Sequence, residues 1–282
     1  MIELNHRNAC VLPEGLNLVD YRESTGNIVV VAPHPDDDVI GCGGLIQLHS
    51  NSDDSVFVIY VTNGAGTPAG KSRSKKAIVA TRQKEALKGL KTVGGKGGIF
   101  LNYDSADVKG GRTRDVILDI FNILMILRPK IIYTASPFEK HLTHLASTQV
   151  TIDAIKMVPD YFPKLRGYGV WGSILAPDEF IETVDLTQVI DAKKRAIRSH
   201  ESEITAHAYD DGTIGINRYY AVFADPYVKQ KMEYAGSLLI MDELVKRPEL
   251  DMEAFTRNLA LHYLHDLYEQ LPKQDDAGLL TL

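Results

Sequence analysis

The sequence is poor in cysteine, has no long apolar run and shows no excess of positive charge. Its 282 residues include two cysteines, Cys10 and Cys42. They lie too far apart for a CxxC metal pair and are too few for a disulfide framework, so a reducing, cytoplasmic setting is expected. No stretch reaches the roughly 18 apolar residues of a membrane helix, so no span is expected. Residues 1–20 lack the continuous apolar segment of a secretory leader, being interrupted by Glu3, His6, Arg7, Glu14 and Asp20. Lys and Arg number 31 against 37 Asp and Glu, a net charge of −6 with no basic stripe. Nucleic acid is therefore not an expected partner. Internal repeats and low-complexity tracts are also missing.

Hydrophobic residues make up 44% and charged residues 24% of the chain. That composition supports a large buried core and excludes disorder as the dominant state. The length suggests one α/β core with an appended segment.

The apolar, β-branched run Ile28–Ala32 reads as a buried parallel strand, ended by Pro33-His34-Pro35. A helix is expected from Asp37–Asp38 to about His49. Ser55–Thr62 reads as a second strand, closed by the turn pair Asn63-Gly64. Residues 64–75 form a Gly/Ser/Lys-rich loop whose length marks it as functional or mobile. A helix follows over Lys76–Val93, then a strand at Gly98–Leu101. Next come a helix over Asp115–Leu127, a strand at Lys130–Thr134 and a helix over Leu142–Met157. This alternation predicts right-handed βαβ crossovers: an α/β, Rossmann-like, mostly parallel sheet with helices on both faces. Beyond it, short strands are expected within 167–185 (VWGSIL and FIETVDL). A helix entered at Asp185 or Thr187 should run to about His200. Residues 216–271 read as mostly helical with breaks at Pro226 and Pro248, and the tail from Pro272 as frayed. The expected division is a catalytic domain over 1–206 and a mainly helical extension over 207–282 packed on it.

Ligands in open α/β sheets bind at the carboxyl ends of strands. Two groups of metal-capable side chains follow strands here: His34-Pro35-Asp36-Asp37-Asp38 and His141-Leu142-Thr143-His144. Zinc hydrolytic sites use three His, Asp or Glu ligands and keep a fourth position for water. His34 and Asp37 are close enough to share an ion, and one histidine of the second group completes a three-ligand set. The same residues could equally serve as a turn and a helix cap. His262 and His265 repeat the spacing without a strand end, so they read as helix-face histidines. His49, His200 and His207 read as structural or solvated. Gly41-Cys42-Gly43-Gly44 lacks the spacing of a nucleotide fingerprint and reads as close helix–sheet packing.

Taken in order, these landmarks resemble the LmbE/PIG-L-type N-acetylglucosaminyl deacetylase family. The strand followed by Pro-His-Pro-Asp-Asp and Gly-Cys-Gly-Gly is similar to that family's strand, Ala-His-Pro-Asp-Asp-Glu and Gly-Gly. Val61-Thr62-Asn63-Gly64, Arg82–Ala86, Leu101–Asp104, His141–Ala146 and Asp185-Leu186-Thr187 with Lys193 and Ala196 follow in the family's order over about residues 26–205. The resemblance implies one zinc ion per chain held by His34, Asp37 and His144. It implies Asp36 as general base, His141 as acid or oxyanion partner, and Arg82 and Asp104 as sugar contacts. Arg82 also reads as an ordinary surface arginine, solvated or paired with Glu85. Departures are Pro33 for alanine, Asp38 for glutamate, and Leu142-Thr143 for the Pro-Asp whose carboxylate would orient a histidine. His200-Glu201-Ser202-Glu203 stands where many relatives have a serine–glutamine pair.

The implied activity is zinc-dependent hydrolysis of the N-acetyl group of a GlcNAc-type sugar or glycoconjugate, with a small amino-sugar substrate as partner and a homo-oligomer left open. Iron or cobalt would also suit a His2Asp site. Competing expectations are an amidase acting on a thiol or sugar conjugate and a catalytically silent, metal-containing sugar-binding protein. A nucleotide-binding oxidoreductase is disfavoured, because carboxylates after the first strand would repel a pyrophosphate. Lys71–Lys76 (KSRSKK) reads either as a solvated loop or as a lid over an acidic substrate group.

Overall fold

The computed structural model describes residues 26–67, 73–172, 174, 176, 178–205, 208–224 and 231–269. Several of the expected elements have the bounds or nearly the bounds read from the sequence, among them β1 (Asn27–Ala32), β2 (Ser55–Thr62) and, after His141, α4 (Leu142–Met157). Between them lie α1 (Asp37–Asn51), α2 (Lys75–Thr92), β3 (Gly97–Tyr103), α3 (Thr113–Leu127) and β4 (Ile131–Ala135). The chain continues through β5 (Lys164–Tyr168), β6 (Ile181–Asp185), α5 (Ile190–Ile197), α6 (Glu201–Ile204), α7 (Tyr209–Ala224), β7 (Ala235–Ile240), α8 (Asp242–Lys246) and α9 (Met252–Glu269).

The seven strands form one sheet in the order β3-β2-β1-β4-β5-β7-β6. Pairings β3-β2, β2-β1, β1-β4 and β4-β5 are parallel, and β7 runs antiparallel to both β5 and β6. Alternation along β1 builds two cores. Ile28, Val30 and Ala32 join residues of α1, α2 and α5, while Val29 and Val31 join α3, α4, α8 and α9. Helices therefore cover both faces, as the alternating pattern predicts.

Two features differ from the sequence reading. The expected strand in VWGSIL lies one step earlier, at Lys164–Tyr168; the described residues of 170–175 are irregular. The segment expected as a helical extension also contributes β7, which is wedged between β5 and β6, so the sheet crosses the expected boundary at 206. At the expected helix entry, Asp185 Oδ1 accepts from the Thr187 N–H at 2.9 Å, and α5 itself begins at Ile190. The tail from Pro272, Lys71 and Ser72 of the Lys71–Lys76 run, and His207 lie outside the described residues.

Gly41 is the closest approach of α1 to the sheet: a Cβ there would collide with the Tyr168 ring of β5. The glycine-rich stretch is thus a packing device. Among the described residues, no helix is long and apolar enough to cross a membrane.

Candidate metal centre and active site

Strand order reverses direction of winding between β1 and β4, and the crevice beyond their carboxyl ends is where such a fold places a ligand. The two histidine-bearing segments emerge there side by side. After β1, Pro33 O accepts from the Thr62 N–H at 3.0 Å and the Thr62 hydroxyl at 2.8 Å, which ties the ends of β1 and β2 together. The His34 carbonyl then accepts from the N–H groups of Asp36 and Asp37, turning the chain into α1. After β4, His141 caps α4, and His144 sits one turn in, fully buried.

Three consecutive aspartates meet three different environments, because a helix start fans its side chains by about 100° per residue. Asp36 points to Arg82, with Oδ2 and Nη2 2.9 Å apart. Asp37 points to the histidines. Asp38 points back into the core, where its Oδ2 accepts from the Tyr60 hydroxyl at 2.8 Å and burial raises its carboxyl to about 7.

The centre itself is a small triangle. Asp37 Oδ2 lies 3.0 Å from His34 Nδ1 and 3.2 Å from His144 Nε2, and the two nitrogens are 3.2 Å apart. Four ligands at about 2.0 Å in a tetrahedron stand about 3.3 Å from one another, so the donors' spacing and their His2Asp chemistry fit a divalent cation such as zinc. His141 adds a third imidazole: its ring centroid is 5.0 Å from that of His34 and 4.8 Å from that of His144. One ring nitrogen of each of these three histidines falls within 4.8 Å of the others. Burial works against charge on Asp37, yet the His144 and His34 rings hold its carboxyl well below the usual range. Desolvation and the neighbouring His144 and His34 push the His141 imidazole below its ordinary pKa.

The carboxylate missing between His141 and His144 is supplied from elsewhere. Glu139 Oε2 accepts from His144 Nδ1 at 3.1 Å, and both side chains are completely buried. Its Oε1 accepts from the N–H groups of Val170 at 2.5 Å, Trp171 at 3.0 Å and Gly172 at 3.2 Å. A carboxylate–histidine pair of this kind sets the tautomer and direction of the ring that would bind a metal.

A cavity of about 190 Å³ opens over the triangle, lined by His34, Asp36, Asp37, Arg82, His141 and, on its outer wall, Trp171, Glu203 and Tyr209. Arg82 is buried rather than a surface residue, and its partners are Asp36 and the Gly64 carbonyl (Nη1 to O, 2.9 Å). Gly64 adopts φ +66°, and any Cβ there would come within 2.8 Å of the guanidinium. Glu85 is engaged with Ser202 instead. Asp104 is held outside the lining by Asn63 Nδ2 at 2.6 Å and Lys75 Nζ at 2.7 Å, and its neighbour Ser105 reaches the cavity in its place. The structure thus gathers His34, Asp36, Asp37, His141, His144 and Arg82 and leaves Asp104 at the rim. Glu139, Trp171, Tyr209 and Glu203 were not expected from the sequence. The only signal near any of them was the departure from the family pattern within His200–Glu203.

Comparison with known proteins bears on the family and the fold. Residues 29–155 match the family model of PIG-L, GlcNAc-PI de-N-acetylase. The chain is 26% identical over 195 residues to diacetylchitobiose deacetylase of Thermococcus kodakarensis, covering 65% of this chain and 72% of that one. Its fold superposes on N,N'-diacetylchitobiose deacetylase of Pyrococcus horikoshii with TM-score 0.66 and 22% identity, over 83% of this chain and 90% of that one. The 4-carboxy-2-hydroxymuconate hydratase GalB of Pseudomonas putida KT2440 also shares the fold (TM-score 0.61, 16% identity, 76% and 95% covered). The fold alone therefore does not choose the reaction.

Proposed function

We propose that this chain, whose residues 29–155 match the PIG-L de-N-acetylase family model, is a metal-dependent hydrolase that removes the N-acetyl group from a GlcNAc-type sugar or glycoconjugate. The observation that carries the reading is the triangle of His34 Nδ1, Asp37 Oδ2 and His144 Nε2, with sides of 3.0–3.2 Å, beside an independent carboxylate on Asp36. Zinc is the ion this donor set suits best. When bound, such an ion supplies Lewis-acid polarisation and a water of lowered pKa.

The chain's own residues do the rest. Arg82 fixes one oxygen of Asp36, which leaves its other oxygen as the base for the attacking water. His141, on the open side of the cavity, donates a hydrogen bond to the oxygen that gains charge as the acetyl carbon becomes tetrahedral. The proton that reaches the leaving amine is the one Asp36 has collected, delivered directly or through His141. Buried Glu139 keeps His144 from turning. The amino sugar and acetate are the products.

Acetate release from a panel of N-acetylglucosaminides, measured as purified, after chelation and after zinc is restored, tests the reading. Activity should vanish and return with the metal. Asp36→Ala should retain metal and lose turnover by about 10²–10⁴. Full rate in that variant would remove Asp36 from the mechanism.

A further inference from the structure

We propose that Glu203 is a specificity-determining residue, accepting a hydrogen bond from a substrate hydroxyl through Oε1 and turning away amino sugars that carry an anionic group at that place. The inference rests on the amino-sugar reading above and adds the charge class of the substrate.

The observations concern one oxygen atom. Glu203 sits on α6, its side chain only 8% exposed, and it lines the same cavity as Asp36 and His141. Its Oε2 accepts from the Thr67 hydroxyl at 3.0 Å, which fixes the carboxylate's direction. Its Oε1 is buried and has no hydrogen-bond partner among the described residues. The nearest cation, Arg82 Nη1, is 3.7 Å away, beyond hydrogen-bond reach, and that nitrogen already donates to the Gly64 carbonyl. The other arm of the guanidinium is held by Asp36. One arginine charge is thus divided between two carboxylates, and its directed bonds go to Asp36 and the backbone.

An unpaired buried carboxylate oxygen is costly until a donor reaches it. Burial and the charge of Asp36 push the Glu203 carboxyl up, which reflects the same shortfall of partners. A pyranose hydroxyl is a donor of the right kind, and the wall beside Glu203 suits a sugar ring. Trp171 and Tyr209 meet there edge to face, with centroids 5.5 Å apart. A phosphate or carboxylate substituent brings acceptors only and a second negative charge, so it is disfavoured twice.

The test compares equilibrium binding of glucosamine with that of glucosamine 1-phosphate, glucosamine 6-phosphate and muramic acid. Calorimetry on the metal-loaded protein serves for this, since these probes carry no acetyl group and are not turned over. Wild type should bind glucosamine at least tenfold more tightly than one or more of the anionic probes. Glu203→Gln, which exchanges the charge for an N–H donor, should narrow that ratio at least fivefold. Equal ratios in the two proteins would overturn the proposal. Should Glu203→Gln fail to fold, Glu203→Asp decides: it keeps the charge but withdraws the acceptor, so glucosamine should weaken while the anionic probes stay excluded. Undiminished glucosamine affinity in that variant would overturn the proposal too. Acetate release from the corresponding N-acetyl sugars, run in parallel, reports on the reaction itself. Release with an unchanged binding ratio leaves the deacetylase reading standing and this inference fallen. A narrowed ratio without release does the reverse.

Discussion

His141–His144 and His262–His265 have the same spacing, and each pair lies on a helix. The first opens α4 directly beyond β4, and its second member is 0% exposed, pressed between Asp37 on one ring nitrogen and Glu139 on the other. The second lies well along α9, and both members are exposed on its outer surface. Three residues of spacing put two rings on one helix face in either case. What separates the pairs is the surroundings of one member: His144 is faced by two carboxylates and removed from water, while His141, like the outer pair, is exposed. A histidine becomes a candidate ligand through what faces it, and that is the part of the pattern a spacing rule does not contain.

The comparison can be broken most severely at its centre. His144→Ala should abolish metal binding and reduce acetate release by at least about 10³, as read by metal analysis and steady-state rates; a variant that kept its metal would remove His144 from the ligand set. Glu139→Gln should act less drastically. It keeps the size of the side chain but removes the charge behind His144, and metal affinity should fall about 10- to 100-fold in a chelator competition. Unaltered affinity would reduce Glu139 to a loop fastener.

His200 sharpens the contrast as a third kind of histidine, buried at 1% exposure and used by neither pair. Burial lowers its pKa from 6.5 to about 4. Between those values the unfolded chain binds the proton and the folded chain does not. Its contribution to stability is therefore whole above pH 6.5 and is lost as pH falls toward 4, by about 3 kcal/mol. Denaturant unfolding from pH 7 down to 4.5 should show that slope in wild type, and His200→Asn should lack it. The smallest effect belongs to the outer pair. His262→Ala with His265→Ala should leave metal content unaltered and shift stability by no more than about 0.5 kcal/mol, measured by thermal unfolding.

Elements with strong local punctuation were readable from the residues alone. Ser55–Thr62 is bounded by Asp54 and the Asn63-Gly64 turn, and Leu142–Met157 by the strand-end loop and Pro159. β5 was displaced in the reading because KLRGY carries Lys164 and Arg166. Arg166 is accommodated in the sheet by Glu182 at 2.6 Å and Asp242 at 2.8 Å, partners that become neighbours only on folding. β7 was missed for a related reason. AGSLLI is short and does not alternate, and its pairing with β5 and β6 is wholly non-local. At the site, the residues that recur at metal-ligand spacing were visible and the lone acidic and aromatic partners were not. His34, Asp36 and Asp37 follow β1 within five residues, and His141 and His144 stand at the start of the helix after β4. Glu139 faces His144 across a loop, and Glu203 arrives from a four-residue helix more than 160 positions after the first histidine. Arg82 was legible as a member of the site but not as a partner of Asp36, since α2 shows no sign in its sequence of which face is buried at that turn.

If an ion and a sugar bind as proposed, Glu139 connects the two events. One of its oxygens steadies His144, and the other gathers the backbone of Val170, Trp171 and Gly172. An ion that locks His144 in place therefore also favours the arrangement of the Trp171 wall, against which a sugar would rest. Thermodynamic linkage then runs both ways: to whatever degree the ion improves affinity for the sugar, the sugar improves affinity for the ion by the same factor.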